Sequence, residues 1–430
     1  MNNGSVKKKV SPFYWPPTLL CRQLGSVLLM GYLNGWKRFP QWLLHDSLKS
    51  MPVSNGALGM GCIGYPGHPV WEVTSSCNLR CIHCHAAGGE ADHRELTTDE
   101  GKRLIDQIAD VGGFRALVYT GGEPLVRKDI FTLLRHSQQV GFANIIATNG
   151  TLIDEEMAWK LKDHGVVCNA ISLDAADPGI HDYIRNRPGA FELTLRAIEA
   201  TRKAGILLQI NTTAMEYNMS ALPELIDFVD AQEASIMLMY QLVAVGRGEK
   251  IGTATLKKSA NRNLSELIAE KQAQTKTIIE PVAGPQYWPH LLRKKGLDKG
   301  AALRIAGHLF HGCAAGRGFL YIKADGDIWP CPFVEIRAGN VREASFREIY
   351  EDSVVFQNLR NRESTLKGLC GKCDFRTVCG GCRGRALAYH GDYLAEDPRC
   401  FMRETGEMTD IKAKEDQVPN RSGLPSSGTV

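Results

Sequence analysis

The sequence predicts an α/β fold, a partial (β/α)6 barrel followed by a C-terminal cysteine-rich auxiliary domain. Three observations carry this expectation. From Pro69 onward six short β-rich apolar runs alternate with amphipathic helical stretches. The chain has 430 residues, 43% hydrophobic and 23% charged, enough for several domains with a buried core. Its thirteen cysteines are clustered, in a chain too large to need disulfide staples. The remaining composition excludes other classes. A net charge of 51 − 47 = +4 is too balanced for a nucleic-acid binder. Glycine and proline are aperiodic, which excludes collagen-like and coiled-coil architectures. No long apolar run free of charge is present, so no spanning helix is expected.

Residues 1–66 read as an amphipathic, aromatic extension. A basic run, Lys7-Lys8-Lys9, precedes an apolar region broken by Arg22 and Gln23, with no clean cleavage site for a signal peptide. Leu20, Leu24, Val27, Leu28 and Tyr32 fall at helical spacing, and Trp36, Phe39, Trp42 and Leu43 repeat it. Packing on the main domain is the plain reading of these stripes; contact with a membrane or partner is the sharper one.

Residues 67–245 form the barrel. Strands are expected at 70–74, 116–119, 144–147, 166–173, 207–213 and 235–241, with helices near 98–110, 129–140, 154–163, 191–203 and 221–231. Thr97 or Thr98 before Glu100, and Asp154 before Glu155, are start signals for two of the helices. Such alternation implies parallel strands with right-handed crossovers and a site at their carboxyl ends. Residues 246–308 are expected to be a helical bridge, 309–409 a cysteine-rich domain, and 410–430 a polar, disordered tail.

Just after the first strand comes Cys77-Asn78-Leu79-Arg80-Cys81-Ile82-His83-Cys84. Three thiolates on one short loop suit three corners of a cubane iron–sulfur cluster, leaving the fourth iron open. Zinc, closed by His83 or His85, is the competing reading. Thr120-Gly121-Gly122-Glu123-Pro124 follows the second strand, where glycines permit close backbone approach and a carboxylate suits an ammonium group. Thr148-Asn149-Gly150-Thr151 and Ser172-Leu173-Asp174 end the third and fourth strands.

With these paired motifs the sequence resembles the radical S-adenosylmethionine (SAM) enzymes over about residues 68–245. The resemblance implies that Cys77, Cys81 and Cys84 hold a [4Fe–4S] cluster whose open iron chelates S-adenosylmethionine. It implies that Gly121, Gly122 and Glu123 position the cofactor's amino group, that Ser172 and Asn211 contact its ribose and carboxylate, and that His83 packs near its adenine. The chemistry implied is reductive cleavage to a 5′-deoxyadenosyl radical that abstracts hydrogen from substrate.

Seven further cysteines lie in the last third: Cys313, Cys331, Cys370, Cys373, Cys379, Cys382 and Cys400. Paired C-x2-C units also occur in zinc ribbons, but seven thiolates are too many for one zinc and one short of two closed sites. They suit two clusters, one closed and one with an open or non-cysteine fourth position. This half resembles the SPASM extension of radical enzymes. By that likeness Cys370, Cys373, Cys379 and Cys400 hold an outer auxiliary cluster, and Cys313, Cys331 and Cys382 an inner one. The last pair of the ladder is spaced by two residues where the usual pattern has three. His308, His311, the substrate or nothing completes the inner site. Cys21, Cys62 and Cys168 are read as non-ligands.

Auxiliary clusters supply an electron path, which net oxidations need. Relatives of this kind modify ribosomal peptides or porphyrin side chains. The segments Tyr240–Gly248, Cys379–Tyr389 and Gly391–Asp397 resemble the haem-forming branch, so haem biosynthesis on a tetrapyrrole is the expected role. A peptide or protein maturase is the alternative, and a lipid substrate stays open because of the Trp-rich start. Arg247, Arg383 and Arg385 either grip substrate carboxylates or brace the clusters and their loops. The expected partners are a tetrapyrrole or peptide substrate and an external electron donor such as flavodoxin or ferredoxin, with peripheral membrane contact possible and no nucleic acid. A reducing, oxygen-poor cytoplasm is expected, since such clusters need one, and disulfides are not.

Overall fold

A computed structural model describes residues 68–402 apart from 112, 113, 115, 310, 311 and 318, together with a few residues between 25 and 35. The expected tail 410–430, most of 1–66, Cys21, Cys62, His311 and the side chain of His308 lie outside the described residues.

The barrel begins with β1 (Pro69–Thr74), then α1 (Thr98–Val111), β2 (Ala116–Gly121), α2 (Ile130–Val140), β3 (Ala143–Thr148), α3 (Glu155–Asp163) and β4 (Val166–Ser172). It continues with α4 (Pro178–Arg185), α5 (Ala190–Lys203), β5 (Leu207–Ala214), α6 (Leu222–Ala231) and β6 (Ile236–Gln241). Local signals set these limits. Thr97 and Glu100 exchange hydrogen bonds as a capping box before α1. Asp154 accepts from the Met157 amide at 2.9 Å to start α3. Gly141, at φ 102°, ends α2 in the left-handed region that favours glycine.

β1 to β6 pair in parallel in sequence order. The sheet does not stop at six strands. Within the segment expected to be a helical bridge, β7 (Ile278–Val282) adds in parallel to β6. Its five residues include Pro281, which suits only an edge strand and weakens the sequence signal. On the other side, β8 (Leu320–Ile322) pairs in parallel with β1, and β9 (Asp327–Trp329) and β10 (Gly339–Asn340) continue antiparallel. The cysteine-rich region is thus joined to the barrel through shared backbone pairing.

Strand alternation separates the two faces. Leu117, Tyr119, Ile146, Ile171, Leu208, Ile210, Met237 and Met239 face the helices in the main core. Val70, Val118, Ile145, Ala170 and Ile236 form a second apolar cluster on the inner face, with Cys168 fully buried among them. Positions two apart on β5 (Gln209, Asn211, Thr213) and β6 (Ile236, Leu238, Tyr240) line one cavity that every strand from β1 to β7 borders. The sheet therefore curves around it as a partial barrel.

At the amino-terminal stretch, Leu29 and Leu33 pack on the main core, whereas Leu28 and Tyr32 of the expected stripe are exposed. The buried face lies one position along from the expected one, a rotation of about 100° on a helix. Among the described residues no helix is long and apolar enough to cross a membrane.

Candidate active site

The cavity inside the curved sheet measures about 300 Å³. Cys77, Cys81 and Cys84 line it on one side, and Cys313, Cys331 and Cys382 line it as well. The eleven described cysteines are all free thiols.

The first loop is held by its neighbours. The Cys77 amide donates to Gly89 O at 2.8 Å, and the Gly89 amide donates to Ser75 O at 2.8 Å. Asn78 donates to Thr151 Oγ1 and accepts from Asn149 Nδ2, each at 2.8 Å. Thr151 and Asn149 of the polar run after β3 in this way brace the cysteine loop, and Thr148 and Asn149 also line the cavity. Leu79 N donates to Cys77 Sγ at 3.3 Å, and the Arg185 guanidinium to Cys81 Sγ at 3.9 Å.

Arg185 was not singled out in the sequence. It ends α4, and its Nη2 lies 2.7 Å from Asp174 Oδ2, with both side chains buried. Burial pushes the Asp174 carboxyl up, but Arg185, His83, His181 and the Thr213 amide together outweigh it, leaving it below the ordinary carboxylate range. The Thr213 amide completes the site at 2.9 Å. His83 lines the cavity with Nε2 3.9 Å from Asp174 and a buried, unpartnered Nδ1; burial lowers its pKa to about 4.

Gly121 and Gly122 line the cavity. A Cβ on Gly122 would stand 2.2 Å from Ser76 O, and Gly121 holds φ 151° with its would-be Cβ 2.3 Å from Thr74 O. Only glycine lets this turn lie so close to the end of β1. Glu123 follows the two glycines at the same turn. Its carboxylate does not line the cavity. It is fully buried and accepts from Thr148 Oγ1 at 2.9 Å, Asn149 N at 2.9 Å and Leu125 N at 3.2 Å. Burial raises its pKa to about 7 against those donors. Glu123 ties β2 to β3 through Thr148 and Asn149, both of which line the cavity. Ser172 and Asn211 both line the cavity, and Asn211 accepts from Gln209 Nε2 at 2.8 Å.

The remaining thiols fall into two neighbourhoods. Burial pushes Cys331 well above its ordinary range and Cys382 up to about 11, and Cys313 adds to both. Burial raises Cys379 well above and Cys400 to about 12; Cys379 feels Cys400 and Cys370, and Cys400 feels Cys370 and Cys373. Cys313, Cys331 and Cys382 thus face the cavity, while Cys370, Cys373, Cys379 and Cys400 gather behind it. N–H donors reach sulfur in both: Arg385 N to Cys382 at 3.4 Å, Gly381 N to Cys379 at 3.4 Å and Asp397 N to Cys370 at 3.4 Å. Reduced, desolvated thiols that accept N–H bonds suit iron–sulfur clusters, which bring the positive charge that holds thiolates ionised and whose potential such bonds tune.

Residues 71–229 match the Radical SAM superfamily, and residues 313–374 match SPASM, an iron–sulfur cluster-binding domain. An AdoMet-dependent heme synthase of Methanosarcina barkeri is 37% identical over 338 residues, covering 77% of this chain and 95% of that one. The chain belongs to the radical SAM superfamily. It is an enzyme whose cofactors are S-adenosylmethionine, a [4Fe–4S] cluster with an open iron, and auxiliary iron–sulfur clusters. When bound, these supply cleavage of S-adenosylmethionine to a 5′-deoxyadenosyl radical for hydrogen abstraction. An Fe-coproporphyrin III synthase of Methanosarcina barkeri is 33% identical over 401 residues, covering 89% of this radical SAM chain and 96% of its own. Streptococcus suis SuiB bound to S-adenosylmethionine shares the fold, with TM-score 0.61 and 19% identity over 77% of this chain and 76% of that one.

The three arginines weighed as carboxylate grips or braces all make bracing contacts in this radical SAM enzyme, and Arg247 and Arg383 also line the cavity. Arg247 donates to Cys81 O at 2.8 Å and Gly88 O at 2.7 Å. Arg383 donates to the carbonyls of Gly381, Tyr393 and Ala395 and lies 3.7 Å from Cys370 Sγ. Arg385 pairs with Asp397 through two contacts of 2.8 and 3.1 Å and donates to Gln241 and Ala283. Buried Arg362, absent from the sequence reading, holds the Cys313 carbonyl at 2.6 Å. Spacing gave no signal for Arg185 or Arg362, because each acts on a cysteine far away in sequence.

Proposed function

We propose that this radical SAM enzyme modifies carboxylate-bearing side chains of a tetrapyrrole, with net oxidation, in haem-type biosynthesis. The observation that carries the reading is one cavity bordered by two thiol sets. A substrate there touches both the radical source and an electron acceptor. The names of the two Methanosarcina relatives supply the substrate class.

Cys77, Cys81 and Cys84 are assigned to the open-iron cluster. Gly121, Gly122 and Glu123 are assigned to the amino group of S-adenosylmethionine, and Ser172 and Asn211 to its ribose and carboxylate. Cys313, Cys331 and Cys382 are assigned to the inner auxiliary cluster, and Cys370, Cys373, Cys379 and Cys400 to the outer one. Residues 67–245 then form the radical unit and 309–409 the electron-transfer unit, reduced by an external donor such as a flavodoxin or ferredoxin. Arg185 and Arg247 hold the first cysteine loop in place, and the enclosed apolar barrel wall keeps water from the reacting atoms.

The test is anaerobic incubation of reconstituted enzyme with reductant, S-adenosylmethionine and candidate tetrapyrroles, followed by mass measurement. Loss of carbon dioxide or acetate from a tetrapyrrole is expected. Turnover of a short precursor peptide, with tetrapyrroles untouched, overturns the substrate assignment. Cys81→Ala is expected to abolish 5′-deoxyadenosine, and Cys331→Ala to spare its formation more than that of product. Three clusters require about twelve irons per chain, and about four would refute the assignment.

A further inference from the structure

His85 follows Cys84 directly and lines the cavity. Its ring is held edge-on by two aromatic rings, Tyr321 at a centroid distance of 6.1 Å and Phe333 at 5.5 Å. Phe333 stands two residues after Cys331, so the imidazole sits between the first cysteine loop and the inner auxiliary thiols. Its backbone is pinned as well. A Cβ on Gly246 would come within 2.3 Å of His85 O, so the chain can press against the loop only with glycine there.

Its polar neighbours face other groups. The Tyr321 hydroxyl donates to Glu72 at 2.9 Å. His83 turns Nε2 toward Asp174 at 3.9 Å and His181 Nδ1 accepts from the Asp174 amide at 3.2 Å, and the other nitrogen of each ring is buried. His85 makes ring contacts, and among the described residues its nitrogens make no hydrogen bond. The imidazole is partly exposed and lines the cavity, so its nitrogens are accessible to a ligand there. The cavity around it is walled by rings and apolar strand residues, which suits a flat macrocycle more than a charged chain.

We propose that His85 is an axial ligand to the iron of an iron tetrapyrrole substrate. The proposal rests on the tetrapyrrole reading above and makes it specific: the substrate enters already metallated. An imidazole is a usual axial donor to such iron. Coordination at the centre fixes the macrocycle plane across the imidazole axis. The side chains at its rim are then held at a set distance from the first cysteine loop, with the inner thiols also within the same cavity.

The test uses full-length, anaerobically reconstituted holoenzyme titrated with ferric coproporphyrin III and, separately, with metal-free coproporphyrin III. Paramagnetic resonance and magnetic circular dichroism report the iron's axial ligand. Fluorescence reports binding of the metal-free ring. Wild type should give a histidine-ligated ferric signature. His85→Gly should bind the iron form at least about tenfold more weakly, the scale on which a lost metal-site interaction is felt, yet bind the metal-free ring as before. Added imidazole should restore the signature. His85→Gln, which fills the site without an imidazole, should behave as His85→Gly does, and covers the case in which glycine lowers the iron–sulfur content. A ferric signature unchanged in both variants overturns the proposal. An equal loss for both rings overturns it too, since that marks packing or a bond to a rim carboxylate. Binding of neither ring by wild type refutes the tetrapyrrole reading itself.

Discussion

Replacing Arg185 by Met keeps most of the side-chain bulk and removes the charge that faces Asp174 at 2.7 Å and Cys81 at 3.9 Å. Asp174 has no exposed surface and Arg185 only 6%. The surviving carboxylate keeps the Thr213 amide at 2.9 Å, but its compensating guanidinium is gone. Breaking a buried pair from one side costs about 3–5 kcal/mol. At an unfolding entropy of about 2.1 cal/mol/K per residue, a body of roughly 330 residues has about 0.7 kcal/mol/K, so the thermal midpoint should fall by about 4–7 °C. The assay is an anaerobic thermal scan of holoenzyme with iron content measured alongside, because the same guanidinium donates to Cys81. The double variant Asp174→Asn, Arg185→Met removes both charges and should recover at least half of the loss. A single variant within about 1 °C of wild type, or a double variant less stable than the single, would refute the reasoning.

Glu123 has a folded pKa near 7 against an ordinary 4.5. Because that pKa is raised, folding takes up a proton. The associated stability is present below about 4.5 and is lost as pH rises to about 7, so scans across this window should show a decline that Glu123→Gln flattens. The amide introduced by that substitution would turn a donor toward the hydroxyl and backbone amides from which the carboxylate now accepts, so the variant should also be less stable at every pH, by about 1–3 kcal/mol. In Gly122→Ala the added Cβ meets Ser76 O at 2.2 Å. Equilibrium dialysis of the reconstituted variant should show S-adenosylmethionine binding weakened by at least about tenfold, 1.4 kcal/mol. Asp397 accepts from Cys382 N at 2.8 Å and Gln286 at 2.6 Å and pairs with Arg385, so Asp397→Ala leaves a buried guanidinium unpaired. Iron analysis should show auxiliary iron lost, with 5′-deoxyadenosine formation retained better than product formation.

Much of this protein was legible from local pattern. The six strands, their helices and the Thr97 and Asp154 caps follow from residue period and capping chemistry, which act over a few positions of chain. The three-cysteine loop after β1 and the glycine pair after β2 were legible for the same reason, since each is a short motif placed at a strand end. Through-space relations were not. β7 and β8 extend the sheet by pairing with strands 42 and 251 residues away in register, Ile236 with Ile278 and Val70 with Tyr321, and their five- and three-residue runs are too brief to announce themselves. Leu29 and Leu33, not Leu28 and Tyr32, face the core because a shift of one position turns a helix face away. The direction of a polar side chain was the hardest to foresee. Arg247, Arg383 and Arg385 have residue types that suit a ligand or a brace equally well, and only folding brings around them the carbonyls and carboxylates that they brace. Residue spacing could place thiols on loops. The closing of the sheet around one cavity decided which thiols share it, and left His85 facing in with its nitrogens open.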